Sequence, residues 1–132
     1  MSCKSAIYTV NTGAQAVAEG GIISLGSIIR RYGCSLDLNG NGINIKECGY
    51  YDVDASITVS PTAAGTVTVT MLKDGVVVPG ATASETASAA GDFVNLSFPP
   101  IVRECCTGST LTFVLTEGAG NVTNIAVKVK KI

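Results

Sequence analysis

The stretch SLDLNGNGINIKEC, residues 35–48, places Asp37, Asn39, Asn41 and Gly42 at the spacing D-x-N-x-N-G, the opening of a calcium-binding EF-hand loop. Oxygen ligands at alternate positions, followed by a glycine for the turn, would wrap a hard cation. The twelfth position of such a loop should hold a bidentate Glu, but here it is Cys48, and Glu47 falls one residue early. Asp52 and Asp54 are the second arrangement with chemical potential. Two residues apart on a strand, they share a face, as an acid and base pair or two metal ligands would. The absence of histidine removes any Ser-His-Asp or Cys-His nucleophile. Neither a dinucleotide fingerprint nor a phosphate-binding loop with Lys is present. Cys3, Cys34, Cys48, Cys105 and Cys106 form no pair of CxxC motifs that would hold zinc. An odd count without an export signal predicts mainly reduced, small, buried thiols, with a single bridge left open. The expectation is a non-enzymatic chain with no cofactor and no metal, in which Asp52 and Asp54 belong to a solvated strand face.

The elements that position these residues read as β-strands. Val53, Ala55, Ile57 and Val59 alternate with Asp52, Asp54, Ser56, Thr58 and Ser60. Val67, Val69 and Met71 alternate with Thr66, Thr68 and Thr70; Leu111, Phe113 and Leu115 alternate with Thr110, Thr112, Val114 and Thr116. Ile125, Val127 and Val129 do the same against Ala126, Lys128 and Lys130, so each run predicts a half-buried strand. Turn signals separate them: Thr62 to Gly65, Asp74-Gly75, Pro79-Gly80, Ala90 to Asp92, Gly108, and Gly118 to Asn121. Around the calcium-like spacing, Leu36 and Leu38 on one side and Ile43 and Ile45 on the other also alternate. An EF-hand needs helical flanks, so the stretch predicts a β-hairpin with Asn39-Gly40-Asn41-Gly42 at its tip. Ala81 to Ala90, small and polar, predicts an edge strand or a loop, and the glycines of GGIISLGSIIRRYG tilt that stretch to strands and turns. Arg30-Arg31 reads as a solvated turn, and the sequons at Asn95 and Asn121 read as strand and turn residues.

The whole reads as an all-β, single domain over residues 1–132, with an extended N-terminal arm over about residues 1–20. No apolar run is long enough to span a bilayer, and MSCKSAIYTV lacks a secretion signal's apolar segment, so the chain is read as soluble and unexported, with no membrane partner. A net charge of -1, with only Lys128, Lys130 and Lys131 clustered, does not indicate nucleic acid. Charged residues make up only 14% of the chain, against about 25% in an ordinary soluble domain. That shortage predicts that another subunit covers part of the surface.

In the second half, GYYDVDASITVSP is followed by GTVTVTMLKDGVVVPGATAS, TLTFVLTEG and NIAVKVKKI. Over residues 48–132 this order resembles the jelly-roll domains of the complement and tumour necrosis factor superfamily. There a Gly-Tyr opens a central strand, and the next long strand ends in a hairpin of the form Leu-x-x-Asn/Asp-Gly followed by apolar residues, Pro and Gly. The matching positions are Gly49, Tyr50 and Tyr51, then Leu72, Asp74, Gly75, Val78, Pro79 and Gly80. The resemblance implies an antiparallel jelly-roll β-sandwich that forms a homotrimer, closest to bacterial and bacteriophage versions. Interface aromatics would come from Tyr50, Tyr51, Phe93, Phe98 and Phe113, with Tyr8 and Tyr32 as further candidates, and the family pattern favours Tyr51 and Phe113. The chain lacks the collagen repeat of spore-surface relatives. It is therefore expected to be a capsid decoration or head-fibre component of a phage virion, held by a capsid or other virion protein. The alternatives are a carbohydrate- or receptor-binding head and a bacterial spore or cell-surface protein.

Overall fold

A computed structural model describes residues 4–104 and 108–132. Among them run thirteen strands: β1 (Ala6–Asn11), β2 (Gln15–Val17), β3 (Gly21–Ile22), β4 (Ser27–Tyr32), β5 (Leu36–Asn39), β6 (Gly42–Ile45), β7 (Gly49–Pro61), β8 (Gly65–Lys73), β9 (Val76–Ala87), β10 (Val94–Phe98), β11 (Ile101–Glu104), β12 (Ser109–Glu117) and β13 (Gly120–Lys131). They form two antiparallel sheets. One runs β10-β7-β13-β1-β4, with β11 also on β7 and β2 also on β13; the other runs β5-β6-β12-β8-β9, with β3 on β12. Chain neighbours such as β7 and β8 lie in different sheets, while β13 returns between β7 and β1, which is the winding of a jelly roll.

Alternation sets the core. Along β7 the buried residues are Tyr51, Val53, Ala55, Ile57, Val59 and Pro61, and their intervening neighbours are not buried. Leu111, Phe113 and Leu115 of β12 and Ile125, Val127 and Val129 of β13 close the same core from both sheets. Residues 4–20 are not an extended arm. β1 is an interior strand, paired with β13 on one side and β4 on the other, because Ile7 and Thr9 belong to the buried face.

Turn chemistry holds at the hairpins. Asp74 (φ 51) and Gly75 (φ 81) both take positive φ between paired Lys73 and Val76, the requirement of a type I′ loop. At the tip of β5 and β6 only Gly40 (φ 63) does so, while Asn41 keeps a negative φ. Pro79-Gly80, read as a turn, instead lies inside β9. There the register with β8 slips from Leu72↔Val77 to Thr70↔Thr82, so the extra residues bulge from an edge strand, where a proline costs no ladder bond.

Two burial patterns depart from the expected alternation. Thr68 and Thr70 sit on the outward face of β8 yet are buried, under hydroxyls contributed by both neighbouring strands. Thr68 Oγ1 lies 2.8 Å from Ser84 Oγ and donates to Glu117 Oε1 at 3.0 Å, and Thr70 Oγ1 lies 3.1 Å from Thr116 Oγ1. The cysteines depart as well. Cys34 is disulfide-bonded and exposed and Cys48 is exposed, so neither is a small core side chain; Cys3, Cys105 and Cys106 lie outside the described residues.

Candidate interaction surface

The calcium-like spacing is a two-residue hairpin. Asn39 pairs with Gly42, so Asp37 and Asn39 stand on a strand and not in a ligand loop. Asp37 lies between two cations, 3.5 Å from Arg31 Nη1 and 3.6 Å from Lys46 Nζ. The carboxylate of Glu47 is engaged by Lys131 Nζ. Positive charge therefore occupies the place a cation would take.

Asp52 and Asp54 are answered in a similar way. Register sets Lys130 beside Asp52 and Lys128 beside Asp54, with Lys128 Nζ 3.1 Å from Asp54 Oδ2. Both acids lie on the outer face of the seven-stranded sheet, and it is this face, more than the acids themselves, that stands out. Cross-strand pairing arranges it in rows. One row reads Tyr32, Ala6, Lys130, Asp52, Ile101; the next reads Arg30, Tyr8, Lys128, Asp54; a third reads Val10, Ala126, Ser56, Ser97. Two depressions, of about 410 and 460 Å³, share Tyr8 and Lys128 in their walls and so form one groove across the sheet. Tyr32 (58% exposed), Tyr50 (53%) and Ile101 (60%) keep most of their surface open on this face, and Tyr8 keeps 38%.

The five aromatics expected at a subunit interface divide. Tyr50 and Phe93 are exposed, Phe93 at the opposite end of β7 from the groove, beside the Val94 and Val59 pair. Tyr51, Phe98 and Phe113 are not available to a partner, because each is buried within the single subunit. Phe98 meets Phe113 across the sandwich with ring centroids 6.0 Å apart. The Tyr51 hydroxyl donates to the Glu47 carbonyl at 2.7 Å, and burial pushes its pKa above the usual 10.0. Strand parity carries this distinction: Tyr51 shares its face with Val53 and Ala55, Phe98 with Val94 and Leu96, and Phe113 with Leu111 and Leu115. The same parity puts Tyr8 outward, opposite in phase to Ile7.

The sequence matches no family profile and no curated protein. Solved structures match throughout. Murine APRIL at pH 5.0 superposes with a TM-score of 0.74 at 9% identity, covering 98% of this chain and 99% of that one. The globular domain of zebrafish complement 1qA gives 0.69 at 7% identity, covering 98% and 97%. The PRD1 vertex protein P5 gives 0.67 at 14% identity, covering 97% and 96%. At such identities the likeness speaks for the fold, and the fold is the jelly roll that the tumour necrosis factor and complement domains share.

Proposed function

We propose that this chain is a non-enzymatic structural protein that assembles as a homotrimer through the outer face of its seven-stranded sheet and decorates or stabilises a phage virion. That outer face carries the reading: Tyr8 and Tyr32 in the groove, with Tyr50 and Ile101 beside it, stand exposed on one sheet face of a chain that has few charges to solvate it. A stable interface takes about 800 Å² from each partner, a modest part of the 6335 Å² that one subunit exposes. The likeness to the vertex protein of PRD1, a phage protein, supports the virion location. On this reading the mechanism is burial of matched surfaces, multiplied by trimeric valency at the attachment site.

Light scattering on the size-fractionated protein tests the assembly, with three times the subunit mass expected; a strict monomer at micromolar concentration overturns it. Immunogold labelling of purified particles and of intact bacterial cells tests the location. Label on cells but not on particles transfers the protein to the bacterial surface.

A further inference from the structure

The two Asn-Gly steps at the tip of β5 and β6 are chemically alike but held differently. Gly40 is exposed, takes φ 63, and has nothing within 4 Å of the place a side chain would occupy. Gly42 is buried against β12, where an added Cβ would run into the Thr110 methyl. The hydrogen-bonding phase of the hairpin separates them further. The Lys46 amide donates to the Ser35 carbonyl at 2.8 Å, which makes Ser35 and Lys46 a hydrogen-bonded pair. Asp37↔Asn44 and Asn39↔Gly42 follow at steps of two, so the closing pair is hydrogen-bonded too. The Gly42 amide is thereby committed to the Asn39 carbonyl, while the Gly40 amide is in the loop and faces water.

We propose that Asn39 is a site of spontaneous deamidation in the folded protein, and that the fold protects Asn41. In the reaction the Gly40 backbone nitrogen loses its proton and attacks the side-chain carbonyl carbon of Asn39. A carbon–nitrogen bond closes a succinimide, the bond to the side-chain nitrogen breaks, and ammonia leaves with the proton. Water then opens the ring at either carbonyl, giving an aspartyl or an isoaspartyl residue; no oxidant, reductant or enzyme takes part. Glycine on the C-terminal side leaves the attacking nitrogen unhindered. The same attack on Asn41 first has to break the Gly42 hydrogen bond and lift its backbone from Thr110, which slows it. The product carries a new negative charge two residues from Asp37, whose own charge Arg31 and Lys46 already balance. In the isoaspartyl form the main chain gains a carbon and the closing pair is lost.

The test is a time course of the folded protein in mildly alkaline buffer, read on the tryptic peptide 32–46. Each conversion raises the mass by about 1 Da, fragmentation places it at 39 or 41, and protein isoaspartyl methyltransferase labels the isoaspartyl fraction. Conversion at 39 is expected to be roughly fivefold or more faster than at 41, the factor a single retained hydrogen bond supplies. In concentrated urea the two rates should approach each other, and Asn39→Ser should leave the folded peptide almost unconverted. Equal rates in the folded protein, or the same bias towards 39 in urea, overturn the proposal. So does a folded protein that converts at neither position while the unfolded chain converts at both.

Discussion

Replacing Tyr8 by Ser removes the aromatic that both halves of the groove share. Tyr8 is 38% exposed in the single subunit. A tyrosine presents about 200 Å² of surface, so ~80 Å² of it remains for a partner to cover. At about 25 cal/mol per Å² this is worth ~2 kcal/mol for each subunit. A closed trimer loses the contribution three times, or ~6 kcal/mol, and raises its dissociation constant by about four powers of ten. Because that constant carries the square of concentration, the concentration of half-assembly rises by about a hundredfold. Mass photometry or sedimentation equilibrium across a dilution series measures it directly. Phe93→Ser serves as the control, since it removes a still more exposed aromatic at the far end of the sheet. Unchanged far-ultraviolet dichroism and an unchanged denaturation midpoint would establish that both variants fold. If Tyr8→Ser assembles at the wild-type concentration, or if Phe93→Ser is the variant that dissociates, the groove is not the interface.

Two further predictions concern the closed core and its polar fastenings. Tyr51→Phe should cost about 1 kcal/mol, because the Glu47 carbonyl loses its buried donor. The Tyr51 hydroxyl has a raised folded pKa, so its contribution is complete below pH 10.0 and is lost as pH climbs through the folded value. Urea midpoints of wild type and variant should therefore converge above pH 10.0, and a gap that widens there would refute the assignment. Lys73→Met strips the cation 3.3 Å from Glu104, whose side chain is 1% exposed. With Ser109 the one remaining side-chain partner of that carboxylate among the described residues, the loss should reach about 3 kcal/mol in a denaturant titration, whereas a loss below about 1 kcal/mol would place Glu104 in a wetter setting than this.

Period-two alternation made most of the fold legible, because β7 and β13 bury one parity of residue and leave the other less buried, and β8 and β12 bury the expected parity with Thr68, Thr70 and Val114 added to it. The Asp-Gly and Asn-Gly hairpins were legible for a different reason: their positive φ is a steric demand that few residues meet. Pro79-Gly80 misled because the same pair serves a turn and an edge bulge, and only the pairing of Thr70 with Thr82 tells them apart. Thr68 and Thr70 take the expected face, but their burial was not legible because it depends on Ser84 and Thr116, residues brought alongside by the fold from distant parts of the chain. The aromatics are the instructive case. The family resemblance favoured Tyr51 and Phe113 at an interface, while their parity with Val53 and Leu111 assigns them to the core of the single subunit. The disulfide at Cys34 left no comparable trace, since an odd cysteine count does not say which thiols meet.

A ring of three adds a requirement that the groove cannot meet alone. A two-fold contact can pair a patch with itself, but an odd ring needs each subunit to offer two different patches that fit one another. In the proposed trimer the second patch is the end of the β8–β9 hairpin, where Val76 and Val77 are 69% and 54% exposed and, with Pro79, wall a depression of about 470 Å³. In this arrangement the hairpin of one copy enters the groove of the next. Val77→Asp should then break assembly as Tyr8→Ser does, although the two residues lie on different sheets. Mixing the two variants separates this from a self-pairing groove. The intact hairpin of the Tyr8 variant can dock into the intact groove of the Val77 variant, giving one sound contact and a heterodimer. Native mass spectrometry of an equimolar mixture should show that heterodimer above either homodimer. Two variants that stay monomeric when mixed, each being folded, would mean that the hairpin and the groove are not the surfaces that meet.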